Sequence, residues 1–499
     1  MNDKVDINRL ATGVPGLDLL LGGGLPEFSL NIIGGMPGCG KTTLAHQIMF
    51  ALANPDRRAL FFTVMGEPAL KMLRYQQQFS FFDHSKINRS IRFINLADDL
   101  LNGDFDGVIA RINKEMQTDA PKLVFVDSFR SLVQSGRHGE RHKLDLQLFV
   151  QQLGQQMIGW QATAFLIGEH SLAEADSNPI FTLADGTLWM SQNLQRNSVV
   201  RKIQVVKMRG QAQTPGSHTF RIDSAGIRIF PRAMLPAEAM ERAVNQPPST
   251  GKRLSMGVPG LDDMLGGGLP AGYSLLLVGP SGSGKTVLST EFLAEGARRG
   301  ERGVIAAFEK NPRQLLNTKL FDMIKAGKIG VIDTRALDLS IDEILQDMID
   351  MIKNMDAKRV VIDSLSGFEL SLAPEFREDY RESLYRMISV LTGLGVTILM
   401  TAELEDRYTD LRFSSYGNAF LADAIILQRY VEIEGEFQRV MSVVKVRGSA
   451  HSKTIRLFDI ADDAITIGES LSQYKGILSG RPTERKSIDR HTRVKGDDA

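Results

Sequence analysis

Gly35-Met36-Pro37-Gly38-Cys39-Gly40-Lys41-Thr42 and Gly279-Pro280-Ser281-Gly282-Ser283-Gly284-Lys285-Thr286 follow one pattern at an offset of 285 − 41 = 244 residues. Each octet follows an apolar run, Ser29-Leu30-Asn31-Ile32-Ile33 or Ser274-Leu275-Leu276-Leu277-Val278, and opens a helix-like stretch. In that context, glycines let backbone N–H groups converge on phosphate oxygens, and the helix N-terminus adds favourable partial charge. Two phosphate cradles are expected. Gly38, Gly40, Lys41, Thr42 and Thr43 form the first, and Gly282, Gly284, Lys285, Thr286 and Val287 form the second. Lys41 and Lys285 are expected to reach the β- and γ-phosphates of ATP, and Thr42 and Thr286 to coordinate Mg²⁺.

Outward from the octets, the duplication continues. Gly13-Val14-Pro15-Gly16-Leu17-Asp18 returns as Gly257-Val258-Pro259-Gly260-Leu261-Asp262, again offset by 257 − 13 = 244 residues. Two domains are expected, at 1–235 and 252–472. A proline-containing polar linker at 236–251 and a tail at 473–499 complete the chain. Apolar runs near 59–62, 122–126 and 164–167 have counterparts near 303–307, 359–362 and 396–400. Such runs separated by helical stretches predict an α/β fold, each domain a mainly parallel sheet flanked by helices. Runs at 203–207 and 441–445 read as strands added to those sheets.

Asp127 and Asp363 end two of the apolar runs, each followed by serine. A carboxylate at that place suits Mg²⁺; the alternative is a helix N-cap. Glu169 and Glu403 follow the next runs and read either as γ-phosphate sensors or as helix caps. Cys39 reads as a small residue filling a small space, or as a thiol whose pKa the helix N-terminus lowers.

The chain has 499 residues, 59 Lys+Arg and 59 Asp+Glu, so its formal net charge is zero. That balance speaks against a broad nucleic-acid-coating surface. One cysteine excludes an intramolecular disulfide and a thiolate zinc cluster. No run approaches the roughly 20 apolar residues of a membrane helix, and the first residues lack a signal-peptide core. A cytoplasmic chain without membrane partners is expected.

The twin openings and twin P-loops, with Lys207-Met208-Arg209-Gly210, Tyr430-Val431-Glu432-Ile433-Glu434-Gly435-Glu436 and Lys445-Val446-Arg447-Gly448-Ser449, resemble the KaiC family from about Leu10 to Pro482. The resemblance implies duplicated RecA-like P-loop NTPase domains stacked as a double-ring homohexamer, with ATP between subunits. It implies that Lys207, Arg209, Lys445 and Arg447 touch the neighbour's nucleotide. Read alone, these residues are either solvated edge charges or phosphate contacts. A KaiB-like partner is compatible with the resemblance, whereas the short basic tail speaks against KaiA binding.

The chain departs from the family at several places. Where the family carries adjacent glutamates, this sequence has Met65-Gly66 and Glu309-Lys310. Glu309, and Glu67 one residue beyond its family position, are the candidate water-polarising groups. Ala419 and Phe420 occupy the places of the family's phosphorylated serine and threonine. The expected function is therefore a Mg²⁺-dependent ATPase and signalling or clock protein with impaired autophosphorylation. The alternatives are a DNA-dependent recombinase or helicase-like ATPase, an ATP-stabilised scaffold without catalysis, and an autokinase using Ser414 or Ser415.

Overall fold

The computed structural model describes residues 7–63, 69–97, 99, 105–128, 152, 155–156, 159–170, 179–195, 198–232, 251–308, 318–332, 339–404, 421–461, 464–477 and 483–484. The chain divides into two compact units, Met1–Arg232 and Ala233–Ala499. Of the expected linker, only Gly251 is among the described residues.

The first unit holds one nine-stranded sheet. Its strands are β1 (Leu30–Gly35), β2 (Ala59–Thr63), β3 (Ile91–Asn95), β4 (Leu123–Asp127), β5 (Thr163–Glu169), β6 (Gly186–Gln195), β7 (Ser198–Met208), β8 (Ser217–Asp223) and β9 (Gly226–Phe230). Their spatial order is β9-β8-β7-β6-β1-β5-β4-β2-β3. From β3 to β6 neighbouring strands are parallel. Strands β7, β8 and β9 extend the sheet antiparallel.

The second unit repeats this topology with β10 (Ser274–Gly279), β11 (Arg302–Ala307), β12 (Ile329–Ile332), β13 (Ala357–Asp363), β14 (Thr397–Glu403), β15 (Ala424–Ile433), β16 (Glu436–Val446), β17 (Arg456–Ala461) and β18 (Ala464–Ser470). Its order is β12-β11-β13-β14-β10-β15-β16-β17-β18, the first unit's order read from the other edge. The sequence signalled the parallel centre; the antiparallel extension proves longer than the single added strand expected in each half.

Both faces of the parallel centre of each sheet are buried, which explains the unbroken apolar runs. In the first unit Ile33, Phe61, Phe125 and Phe165 face helix α1 (Lys41–Leu52), which buries Leu44, Ile48 and Met49 against them. Phe125 stacks on Phe165 with ring centroids 4.6 Å apart. On the opposite face Ile32, Phe62, Val124 and Leu166 meet Val108 and Ile112 of α2 (Phe105–Asp119). The alternation follows the two-residue period of a strand.

In the second unit Leu275, Leu277, Val361 and Leu399 pack against Leu288 and Phe292 of α3 (Lys285–Arg298). Leu276, Val278, Val360 and Ile362 pack against α4 (Ile341–Met355) and α5 (Tyr380–Gly393). Each such side chain contributes about 1.5–3 kcal/mol when fully buried. Helix α4 begins with a reciprocal capping box between Ser340 and Glu343. None of the described helices is long and apolar enough to cross a membrane.

Candidate functional site: two P-loops and four distant cations

Each P-loop leaves the C-terminal end of its sheet's switch-point strand, β1 or β10, and runs into α1 or α3. Gly40 and Gly284 are the helix N-caps, at φ 102° and 96°. This left-handed backbone suits glycine and leaves the first-turn N–H groups facing outward. Those groups belong to Lys41, Thr42 and Thr43, and to Lys285, Thr286 and Val287. The Val287 side chain packs on the core, so its contribution to a ligand is its backbone N–H.

The P-loop lysines fold back onto their own loops. Lys41 Nζ donates to Met36 O at 2.8 Å. Lys285 Nζ donates to Gly279 O at 2.8 Å and to Pro280 O at 2.9 Å. Cys39 is fully buried, with Sγ 3.9 Å from Lys41 Nζ. Burial pushes its thiol pKa up, ahead of the opposing influence of Lys41. The filler reading of Cys39 fits this environment, and the lowered-pKa reading does not.

Sequence-distant groups meet at both loops. Thr42 Oγ1 donates to Asp127 Oδ2 at 2.7 Å, and Thr286 Oγ1 donates to Asp363 Oδ2 at 2.9 Å. The helix-cap alternative fails for Asp363, because Ser364 caps the following helix by accepting from Gly367 N–H. Burial raises the Asp127 carboxyl to about 6, against the lowering effects of Thr42 and Lys41; Glu169 adds a further upward push.

Hard oxygen donors with a buried carboxylate suit Mg²⁺. Among the described residues no group of three or more His, Cys, Asp or Glu gathers. A magnesium site completed by substrate phosphates, with one Thr and one Asp from the protein, fits that chemistry. Glu169 pairs in register with Gly35, and Glu403 with Gly279, so both border a P-loop strand. Glu67, Glu309 and Lys310 lie outside the described residues, as do Ser414, Ser415, Ala419 and Phe420.

Lys207, Arg209, Lys445 and Arg447 are not brought to their own P-loops. Lys207 Nζ donates to Phe181 O and Thr182 O at 3.2 and 3.0 Å. Arg209 pairs with Asp185 at 3.2 Å. Lys445 Nζ donates to Ala422 O at 2.7 Å, and Arg447 pairs with Asp423 at 3.1 Å. Asp185 N–H donates to Leu30 O, and Asp423 N–H to Ser274 O, at the strand ends away from the loops. The strand rise of ~3.3 Å per residue puts more than ~13 Å between these ends and the loops.

A β-bulge precedes each lysine. Thr187 pairs with Lys207 and Leu188 with Val205, so Val206 is the extra residue; Val444 is the extra residue before Lys445. The inward set Ile203 and Val205 thereby moves to Met208, which turns Lys207 away from the core side. Partial burial and the adjacent arginine lower the pKa of Lys207, and likewise of Lys445.

Asp185 and Asp423 were not among the sequence-derived site residues. Their signal was the repeat of Leu183-Ala184-Asp185 as Leu421-Ala422-Asp423, offset by 423 − 185 = 238 residues. Thr401, whose hydroxyl donates to Asp363 Oδ1, was also missed; Ile167 occupies the corresponding place two residues before Glu169.

The family described as "ATPase: KaiC" matches residues 10–234 and 254–472. The chain is similar to "Circadian clock oscillator protein KaiC" of Picosynechococcus sp., with 27% identity covering 97% of this chain and 94% of that protein. It is similar to "Circadian clock protein KaiC3" of Synechocystis sp. at 27% identity, covering 97% of each. It is also similar to "Circadian clock oscillator protein KaiC" of Prochlorococcus marinus at 26% identity, covering 96% of each. With both P-loop units inside the match, the chain belongs to the KaiC family of ATPases.

Proposed function

We propose that this chain hydrolyses ATP at both P-loops within a ring of identical subunits, with each site completed by a neighbour. The observation carrying this reading is the position of Lys207, Arg209, Lys445 and Arg447 at the far ends of their own sheets. In a ring, one copy's cations lie against the next copy's phosphates. The resemblance favours two stacked hexameric rings, and a cytoplasmic setting follows from the same reading.

The backbone N–H groups of each P-loop, with Lys41 or Lys285, hold the phosphates and stabilise the charge that develops on the γ-phosphoryl oxygens. Thr42 with Asp127, and Thr286 with Asp363, are the residues to hold Mg²⁺, which supplies charge neutralisation of the phosphates. Water attacks the γ-phosphorus in line and ADP leaves. Glu67 and Glu309 are the candidate groups to orient that water. The output is a nucleotide-dependent ring conformation read by a partner, and a KaiB-like protein is the candidate partner.

Autophosphorylation of the family's kind is impaired in this reading, because Ala419 and Phe420 have no hydroxyl to accept phosphate. Lys310 also carries positive charge where the family has a second carboxylate.

Subunit mixing tests shared sites. A Lys41→Ala/Lys285→Ala chain and an Arg209→Ala/Arg447→Ala chain should each release little phosphate alone. After dissociation and joint reassembly with ATP, some interfaces pair an intact P-loop with intact arginines, and phosphate release should recover. No recovery in verified mixed oligomers would refute shared sites. Running the wild type with γ-labelled ATP also follows the protein-bound label, expected to be absent; stoichiometric label would establish an autokinase with another acceptor, Ser414 or Ser415 first.

A further inference from the structure

The two phosphate cradles share a backbone but are held from behind by different chemistry. In the second unit the Ser283 hydroxyl donates to Gln428 Oε1 at 3.0 Å. Both side chains are buried, Ser283 at 1% and Gln428 at 0% exposure. Gln428 stands on β15 directly after Leu427, which pairs with Val278 of β10. Its side chain therefore lies over the start of the P-loop. A Cβ on Gly279 would come within 2.6 Å of Ser283 Oγ and 2.9 Å of Gln428 Cβ. Two residues along β15, the Tyr430 hydroxyl lies 3.2 Å from where a Cβ on Gly282 would stand.

The first unit has sulfur at the same two places. Cys39 stands for Ser283, and Met190 stands for Gln428 at the 238-residue offset set by Asp185 and Asp423. Both belong to the apolar cluster beneath the loop. Sulfur contacts of this kind are adaptable and non-directional, whereas an amide–hydroxyl bond fixes orientation.

One further group is unexplained. Gln428 Nε2 is buried without a hydrogen-bond partner among the described residues. Buried polar groups are nearly always paired. The nearby loop carbonyls, Gly279 O and Pro280 O, accept from Lys285 Nζ. A lysine that turns to phosphate frees one acceptor position on each, while Gly279 O keeps Leu404 N–H at 3.1 Å and Pro280 O keeps Ser283 N–H at 3.3 Å.

We propose that Gln428 is a positioning residue for nucleotide at the second P-loop. Its Oε1 holds Ser283 in the cradle conformation. Its Nε2 is the buried donor available to a loop carbonyl once Lys285 moves to the phosphates. The second cradle is thus preorganised by a polar clamp that the first lacks, and binds ATP more tightly than it would with the first unit's Cys/Met pair. The inference rests on the reading that the second P-loop holds ATP.

The test uses the full chain in a Lys41→Ala background, so that a fluorescent ATP analogue reports the second site. Gln428→Met and Ser283→Cys, which install the first unit's residues, should each weaken binding about three- to tenfold, the range of one buried hydrogen bond. The double variant should be no weaker than the worse single variant, because both remove one interaction. KM for ATP should rise while kcat at saturation holds, a split that a general loss of stability would not give. Should Gln428→Met fail to fold, Ser283→Cys carries the same comparison. Binding unchanged within twofold in the variants, or strictly additive losses, would overturn the role of Gln428 alone. Absence of second-site binding in the Lys41→Ala parent would overturn the ATP reading of that loop together with the inference.

Discussion

The Thr42 hydroxyl lies 2.7 Å from Asp127 Oδ2, joining the first turn of the P-loop helix to the end of a buried strand 85 residues later. Burial raises that carboxyl from 3.8 to about 6. The folded chain therefore holds this proton more tightly than the unfolded chain does. The site's contribution to stability is fully present below about 4 and is lost as pH rises towards about 6. Nucleotide-free Asp127→Asn lacks this loss. Its melting temperature should gain on the wild type between pH 4 and pH 6, then run parallel to pH 8. A constant difference across that range would show that Asp127 is not titrating there. Mg²⁺ favours the ionised carboxylate, so metal affinity should fall below pH ~6.

Asp363 is held from two sides, by Thr286 at 2.9 Å and by the fully buried Thr401. Thr401→Ile installs the residue that the first unit carries and removes one of the donors to the Asp363 carboxylate. The loss should be about 1–3 kcal/mol, read by urea unfolding. The Mg²⁺ concentration needed for half-maximal phosphate release should shift in a Lys41→Ala background. Thr401→Ser should restore both. Failure of serine to rescue would assign the effect to packing.

Arg359 is 1% exposed, yet it carries a guanidinium into the second core. Its Nε donates to Glu301 at 2.8 Å, and one terminal nitrogen donates to Ser255 O and Phe292 O, each at 2.8 Å. The guanidinium also lies 4.6 Å from the Phe292 ring centroid. Arg359→Met should cost about 3–5 kcal/mol, because Glu301 loses its buried partner. Adding Glu301→Gln should recover part of it. Equal stability of Arg359→Met and wild type in urea would show that the pair contributes nothing net.

Gly35 marks a close approach of backbones. Its φ is 145°, and a Cβ would sit 1.9 Å from Met190 O, an atom that cannot rotate away. Gly35→Ala must push β1 from β6 just before the first P-loop. Nucleotide binding at the first site should fall at least tenfold, while the second site in the same chain keeps its affinity. Loss at both sites would show that the units are not independent in binding.

The duplicated P-loops, the strand-ending aspartates and the two-unit division were readable in the sequence because each rests on local chemistry. Glycine spacing makes a phosphate turn wherever a strand meets a helix, and Phe61-Phe62 or Val360-Val361 announces a strand buried on both faces. The antiparallel extensions were only partly readable, since β6 and β7 carry polar residues such as Gln192 and Lys202 that blur the pattern. The Arg359 network gave no sequence signal, because a core arginine looks like a surface one until its partners fold around it.

Motif spacing thus specified where each half of this chain places its P-loop. Long-range register specified how it is held. Asp127 reaches Thr42 only because β4 and β1 lie two places apart in one sheet, separated by β5. The cations on β7 and β16 point outward because bulges at Val206 and Val444 shift the side-chain phase. They stand far from their own P-loops because antiparallel strands return to the opposite end of the sheet. The unequal backing of the loops, Ser283 on Gln428 but Cys39 beside Met190, follows from which β6 or β15 residue lies alongside the loop. Hydrogen bonds between residues 145 apart depend on packing that no local pattern encodes.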